Sequence, residues 1–197
     1  TYAFTYSSLL VTPTPPSVPI ALDEITQEEP QPEIIIPPCE VVEDNRIPVA
    51  ITFDDGPHKD FTPQILDILK KHNAKATFYV LGNRLTYYPD IVKRAYDEGH
   101  EIGNHTWSHP NLTSLSKDAL VEEVISTSNE IAKITGKTPK AIRPPYGAYN
   151  EALKEFVSMP LVLWSVDTLD WKHKNKERIK QITKKKKKNG SIILMHD

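Results

Sequence analysis

After residue 46, short apolar runs alternate with helix-like segments, and this pattern limits the fold more tightly than any other property of the chain. The apolar runs lie at 47–53, 76–81, 101–104, 140–143, 161–166 and 191–195. Helix-like segments lie between them at 63–72, 89–98, 117–135 and 176–188. The second and third of these segments end at Gly99 and Gly136, residues that favour helix termination. Strand–helix alternation at this spacing predicts an α/β fold of β/α units with parallel strands.

The first 45 residues have a different composition. They contain no Lys, Arg or Gly, but they hold eight of the 17 prolines and eight acidic residues. Because proline fixes φ and removes a hydrogen-bond donor, we expect residues 1–45 to form a Pro-rich acidic arm or linker that precedes a folded domain at 46–197. The single cysteine, Cys39, lies in this arm. One thiol excludes an internal disulfide framework and a Cys-rich zinc cluster.

Charge and hydropathy exclude several classes of function. The net charge of −2 argues against a polycation built to bind nucleic acid. Five consecutive lysines at 184–188 are interpreted as a solvated helix face rather than as a polyanion-binding patch. No apolar run approaches the roughly 20 residues that span a bilayer. No signal peptide is visible, which suits a mature secreted fragment or a cytosolic protein equally well.

Polar clusters follow the apolar runs. The first two clusters contain residue types that bind metal ions and transfer protons. The motif T-F-D-D-G-P at 52–57 places two carboxylates side by side, where one can bind a metal and the other can take a proton. The motif H-T-W-S-H-P at 105–110 spaces two histidines four residues apart, as on one side of a helical turn, and zinc accepts such a pair. Thr106 stands where the zincin motif needs glutamate, so a general base must come from elsewhere, and Asp54 is available.

Three further clusters are weak signals when each is taken alone. They are R-P-P-Y-G at 143–147, D-T-L-D-W at 167–171 and L-M-H-D at 194–197. Arg143 could hold a carboxylate ionised, and the backbone after the prolines could direct N–H groups at an oxyanion, although a plain Pro–Gly turn fits the same residues. Because parallel β/α barrels build their active sites from the loops after their strands, we expect the five clusters to converge.

Together the five motifs resemble those of the NodB-type polysaccharide deacetylases, the fourth carbohydrate esterase family, over residues 46–197. The resemblance implies a distorted β/α barrel of about seven parallel strands. It also implies one divalent metal ion, usually zinc, with cobalt or other divalent ions as alternatives, held by Asp55, His105 and His109.

The resemblance also implies the roles of the remaining motif residues. The catalytic group comprises Asp54 as general base, Arg143 as its partner, His196 as general acid and Asp170 as the residue that orients His196. The substrate-binding group comprises Tyr146, whose backbone N–H helps to hold the oxyanion, Trp171, which lines the pocket, and Leu194, which lies beside the substrate methyl group.

The expected function is therefore removal of acetyl groups from N-acetylglucosamine-type residues of a polysaccharide, in peptidoglycan or chitin oligomers. Two alternatives stay open, an acetylxylan esterase and an inactive carbohydrate-binding domain. The family implies a secreted or cell-envelope protein with an acetylated polysaccharide or oligosaccharide as partner and no nucleic acid. Family members continue beyond the fifth motif, so either the sequence is incomplete after residue 197, or the segment T-Y-A-F-T-Y-S-S-L-L at 1–10 closes the barrel.

Overall fold

The computed structural model describes residues 48–197, and they contain a five-stranded, wholly parallel sheet. The strands are β1 (Val49–Asp54), β2 (Thr77–Val80), β3 (Glu101–Asn104), β4 (Val166–Asp167) and β5 (Ser191–His196), in the order β3-β2-β1-β5-β4. The predicted α/β class with parallel strands is thus confirmed. The predicted arm at 1–45, Cys39 and the candidate closing strand at 1–10 lie outside the described residues.

Seven helices connect or follow the strands. They are α1 (Phe61–Lys71), α2 (Gly82–Leu85), α3 (Pro89–Asp97), α4 (Lys117–Thr135), α5 (Glu151–Phe156), α6 (Asp170–His173) and α7 (Lys176–Lys186), among the residues described. The four helices predicted from the sequence correspond to α1, α3, α4 and α7. Gly136 follows α4 with a φ of 75°, which is the left-handed conformation expected of a glycine that ends a helix. No helix between residues 48 and 197 is long and apolar enough to cross a membrane.

Two of the predicted strands are reduced to short contacts. Within 140–143 only Ile142 pairs, and it bridges Asn104 on one side and Leu161 on the other. The run at 161–166 supplies that bridge and the first residue of the two-residue strand β4. Prolines at 139, 144, 145 and 160 flank these runs and have no N–H to donate to a ladder. The seven-stranded barrel is not confirmed, because the described residues form a sheet of five strands.

The strand register determines where the polar clusters meet. Asp54 lies opposite Tyr79 of β2 and His196 of β5, and Val80 of β2 lies opposite Asn104 of β3. All strands run in the same direction, so their carboxyl ends lie along one edge of the sheet. A buried apolar cluster that includes Phe53, Leu66, Phe78, Val80, Leu85, Val92 and Ile131 packs helices against the sheet. Burial of each large side chain contributes about 1.5–3 kcal/mol to the stability of the fold. This packing fixes the edge of the sheet where the carboxyl ends of the strands lie.

Candidate active site

The two neighbouring aspartates at the end of β1 point to different partners. Asp54 is the last residue of the strand and is 3% exposed. Its Oδ1 accepts a hydrogen bond of 2.7 Å from Nη1 of Arg143. Asp55 has left the strand, with a φ of 73°, and its Oδ1 lies 3.4 Å from Nε2 of His105 and 3.5 Å from Nε2 of His109. The two carboxylates therefore have different main partners, although Asp54 Oδ2 also lies 3.7 Å from Nε2 of His105.

Arg143 holds Asp54 from inside the protein. Its guanidinium is fully buried and donates to four oxygens: Asp54 Oδ1, Thr52 Oγ1, and the backbone carbonyls of Val162 and Leu163. Burial raises the pKa of Asp54 above its ordinary value, and the positive charges of His105 and Arg143 act against that rise. The carboxylate is therefore held in a fixed orientation and is more basic than an exposed aspartate.

The histidine motif forms a loop, so the expected helical turn is wrong. Thr106 and His109 both adopt left-handed φ values, 73° and 64°, and Thr106 Oγ1 accepts a hydrogen bond of 3.1 Å from the backbone N–H of His109. His105 Nδ1 lies 2.7 Å from the carbonyl oxygen of Arg143. Because a carbonyl can only accept, Nδ1 donates to it, and Nε2 is the ring nitrogen that faces Asp55.

Asp55, His105 and His109 fit a divalent cation. One ligand atom from each lies within 4.8 Å of the others. Asp55 Oδ1 is buried and has no hydrogen-bond partner among the described residues, an arrangement that a positive ion would satisfy. Burial favours the protonated form of Asp55, but the two histidines outweigh it and the pKa of this carboxyl is lowered. Burial, followed by His105, lowers the pKa of His109, which favours the neutral imidazole that metals bind.

His196, at the end of β5, is bound to Asp170 at the start of α6. Its Nδ1 donates to Asp170 Oδ1 at 2.8 Å, and its backbone N–H donates to Oδ2 at 2.8 Å. Burial acts to lower the pKa of His196, but the hydrogen bond and negative charge of Asp170 outweigh it and raise the pKa above its ordinary value. The arrangement favours an imidazolium that can release a proton from Nε2.

These groups face one cavity of about 510 Å³. Its lining comprises Asp54, Asp55, His105, His109, Tyr146, Trp164, Asp167, Trp171, Leu194 and His196. Eight of these were predicted site residues, and the other two predicted residues, Arg143 and Asp170, hydrogen-bond to lining residues. Tyr146 and Trp171 are 69% and 58% exposed, whereas Leu194 is buried.

Four residues with contacts in the site were not predicted. Trp164 and Asp167 line the cavity, Thr52 accepts a hydrogen bond from Arg143, and Glu123 binds the histidine loop. The first three lie within or beside the quoted motifs, and that closeness in sequence was the available signal. Glu123 lies inside a helix far from the motifs, and the sequence pattern carries no signal for it.

A buried aspartate, a candidate metal site and a carboxylate-bound histidine around one cavity are parts that suit a hydrolase acting on acyl groups. Comparison with known proteins agrees with that class. Residues 42–159 match the model of the polysaccharide deacetylase family, and the chain belongs to this family. The resemblance found in the sequence is thereby confirmed.

Two curated relatives and one solved structure illustrate the similarity. The peptidoglycan-N-acetylmuramic acid deacetylase PdaC of Bacillus subtilis is 44% identical over 176 residues, which cover 89% of this chain and 38% of that protein. The peptidoglycan-N-acetylglucosamine deacetylase PgdA of Listeria monocytogenes is 44% identical over 149 residues, which cover 76% of this chain and 32% of that protein. The structure of PdaC matches with a TM-score of 0.75 and 46% identity, over 78% of this chain and 76% of that chain. The aligned part of this chain thus spans less than two fifths of the length of these two curated relatives.

Proposed function

We propose that this chain is a metal-dependent hydrolase that removes acetyl groups from N-acetylglucosamine-type residues of a polysaccharide. The observation that carries the proposal is the single cavity onto which Asp54, the Asp55–His105–His109 cluster and His196 all face. Amide hydrolysis needs a base for the attacking water, a positive group for the carbonyl oxygen and an acid for the leaving nitrogen. The cavity provides a candidate for each need.

We propose zinc as the ion held by Asp55, His105 and His109, with cobalt or another divalent ion as the substitute. One carboxylate oxygen and two imidazole nitrogens are a typical zinc ligand set, and three protein ligands leave positions open for chemistry. A divalent ion bound there would supply a Lewis acid that polarises the acetyl carbonyl and makes a nearby water easier to deprotonate.

Asp54 is the proposed general base. It takes a proton from the attacking water while the water oxygen forms its bond to the acetyl carbon. Burial makes the carboxylate a stronger base, and Arg143 fixes its orientation and keeps it ionised. The backbone N–H of Tyr146, at the rim of the same cavity, is the proposed donor to the oxygen that gains negative charge.

His196 is the proposed general acid. It donates its Nε2 proton to the sugar nitrogen while the carbon–nitrogen bond breaks, which releases acetate and a free amine. The raised pKa that Asp170 produces keeps His196 protonated for this step. Leu194 would contact the acetyl methyl group and Trp171 would cover the sugar, since both line the cavity.

Peptidoglycan is the proposed natural substrate, and the cell envelope the proposed location. The named relatives support this choice, because their names assign them to peptidoglycan and to N-acetylmuramic acid or N-acetylglucosamine. We also propose that the sheet belongs to the distorted barrel of about seven strands that the family implies. The bridges of Ile142 support this, because they extend pairing beyond β3.

Acetate release from a panel of acetylated glycans tests the function. The panel comprises peptidoglycan fragments, N-acetylglucosamine oligomers and acetylated xylan, each with and without a chelator and with zinc restored. We expect release from the N-acetylated substrates, loss with chelator and recovery with zinc, and no release by the Asp54→Asn variant. Release from xylan alone would indicate an esterase instead. Binding of glycans without any release would indicate an inactive carbohydrate-binding domain.

A further inference from the structure

We infer that Glu123 of α4 is a positioning residue that sets the geometry of the His105–His109 pair for metal binding. This inference rests on the proposed metal site. Glu123 is absent from the cavity lining, so its effect must pass through the loop that carries the histidines.

The contacts of Glu123 occupy both of its carboxylate oxygens. Oε2 accepts hydrogen bonds of 2.8 Å from the backbone N–H groups of both Trp107 and Ser108. Oε1 accepts a hydrogen bond from the hydroxyl of Ser108. The two residues held in this way lie between the two candidate ligands, so one side chain fixes the middle of the segment that spans the metal site. Hydrogen bonds to a carboxylate are stronger and shorter than those between neutral groups.

The loop has no regular secondary structure of its own, so hydrogen bonds from other elements hold it, including those that Gly82 and Asn83 of α2 donate to the carbonyls of Thr106 and Trp107. It lies between β3 and the 3₁₀ turn Leu112–Ser114 and includes two left-handed residues, Thr106 and His109. Non-glycine residues persist in that conformation only where their surroundings determine it. Asn104 anchors the start of the loop, since its Oδ1 accepts from the N–H of Thr106 and its Nδ2 donates to the carbonyl of Val124 on α4. Glu123 anchors the middle of the loop to the same helix.

A role of Glu123 in general stability and a role in positioning the histidines would change different measured quantities. The free energy that Glu123 contributes to folding affects the melting temperature of the metal-free protein. Positioning of the histidines affects how tightly the folded protein binds zinc. Residues that orient metal ligands from outside the ligand set typically change metal affinity by about 10–100-fold when removed.

The test measures zinc affinity by competition with a chromophoric chelator, using the full chain and zinc alone. Glu123→Ala should bind zinc about 10–100-fold more weakly. Glu123→Gln should retain most of the affinity, because its amide oxygen can still accept both backbone N–H groups. The zinc affinity of Glu123→Asp should lie between those of the other two variants, because the aspartate side chain is one methylene too short to reach all three donors. Glu122→Ala is the matched control, since Glu122 is the neighbouring exposed acid on α4. This variant should bind zinc as tightly as the unaltered chain does.

Melting curves with chelator establish which variants are folded before the zinc affinities are compared. Unchanged zinc affinity in folded Glu123→Ala would overturn the inference. If Glu123→Ala does not fold, Glu123→Asp decides, and unchanged affinity there would overturn the inference equally. Absence of zinc binding by the unaltered chain would instead refute the proposed metal site, so the two failures are distinguishable.

Discussion

Replacement of Arg143 by methionine should be among the most destabilising single changes in the domain. The side chains of Arg143 and Asp54 are 0% and 4% exposed, and their hydrogen bond is 2.7 Å long. Removal of one partner of a buried ion pair leaves an uncompensated charge and costs about 3–5 kcal/mol. For a domain of this size each kcal/mol lowers the melting temperature by about 2–4 °C, so we expect a loss of about 6–20 °C.

The assay is urea unfolding followed by circular dichroism, with chelator present so that metal binding does not contribute. Arg94→Met is the matched control, because Arg94 pairs with exposed Asp67 and partly buried Glu98 while its own side chain stays 34% exposed, and ion pairs near the surface contribute about 1 kcal/mol or less. Addition of Asp54→Asn to Arg143→Met should restore part of the lost stability, since the substitution removes the charge that methionine leaves unpaired.

The stability deficit should also depend on pH. Burial already raises the pKa of Asp54 above 3.8, and loss of Arg143 raises it further. A carboxyl with a raised pKa binds more protons in the folded state than in the unfolded state, so its contribution to stability is present at low pH and is lost as the pH rises through the folded-state value. The deficit of Arg143→Met should therefore shrink as the pH falls toward 4. A deficit no larger than that of Arg94→Met, or one independent of pH, would refute the reasoning.

Four further predictions follow from the proposed roles. His109→Ala should lose both bound metal and activity, and stoichiometric metal by elemental analysis would contradict the ligand assignment. Asp170→Asn should move the alkaline limb of the kcat/KM profile to lower pH, because it removes the charge that raises the pKa of His196; an unmoved limb would exclude that cause. His196→Ala should reduce amide hydrolysis by about 10²–10⁴-fold but spare an acetylated phenol, whereas Asp54→Asn should impair both, so equal losses in His196→Ala would exclude the acid role. Deletion of residues 1–45 should leave metal stoichiometry unchanged, and loss of folding would show that the segment is structural.

The sheet was predictable because buried parallel strands are nearly continuous apolar runs. The prediction was wrong for the length of the strands at 140–143 and 161–166. The prolines that flank these runs lack the N–H donors that a strand ladder needs, and apolar character alone does not reveal that loss. The convergence of the site was predictable from the rule that loops after parallel strands meet at one edge. The conformation of the histidine loop was not predictable, because two histidines spaced four residues apart also fit a helix. The loop is held by contacts with Asn104 and Glu123, which lie in other elements.

The different positions of Asp54 and Asp55 follow from the backbone rather than from the chemistry of the two residues. Asp54 still belongs to the strand, where the register sets it opposite His196 and its side chain reaches Arg143. Asp55 turns into the left-handed region and directs its carboxylate at the histidines. Gly56 follows, and a Cβ there would overlap the carboxylate of Asp197, so a side chain at this position would require that carboxylate to move. The proposed base and the proposed ligand are therefore distinguished by the place where β1 ends.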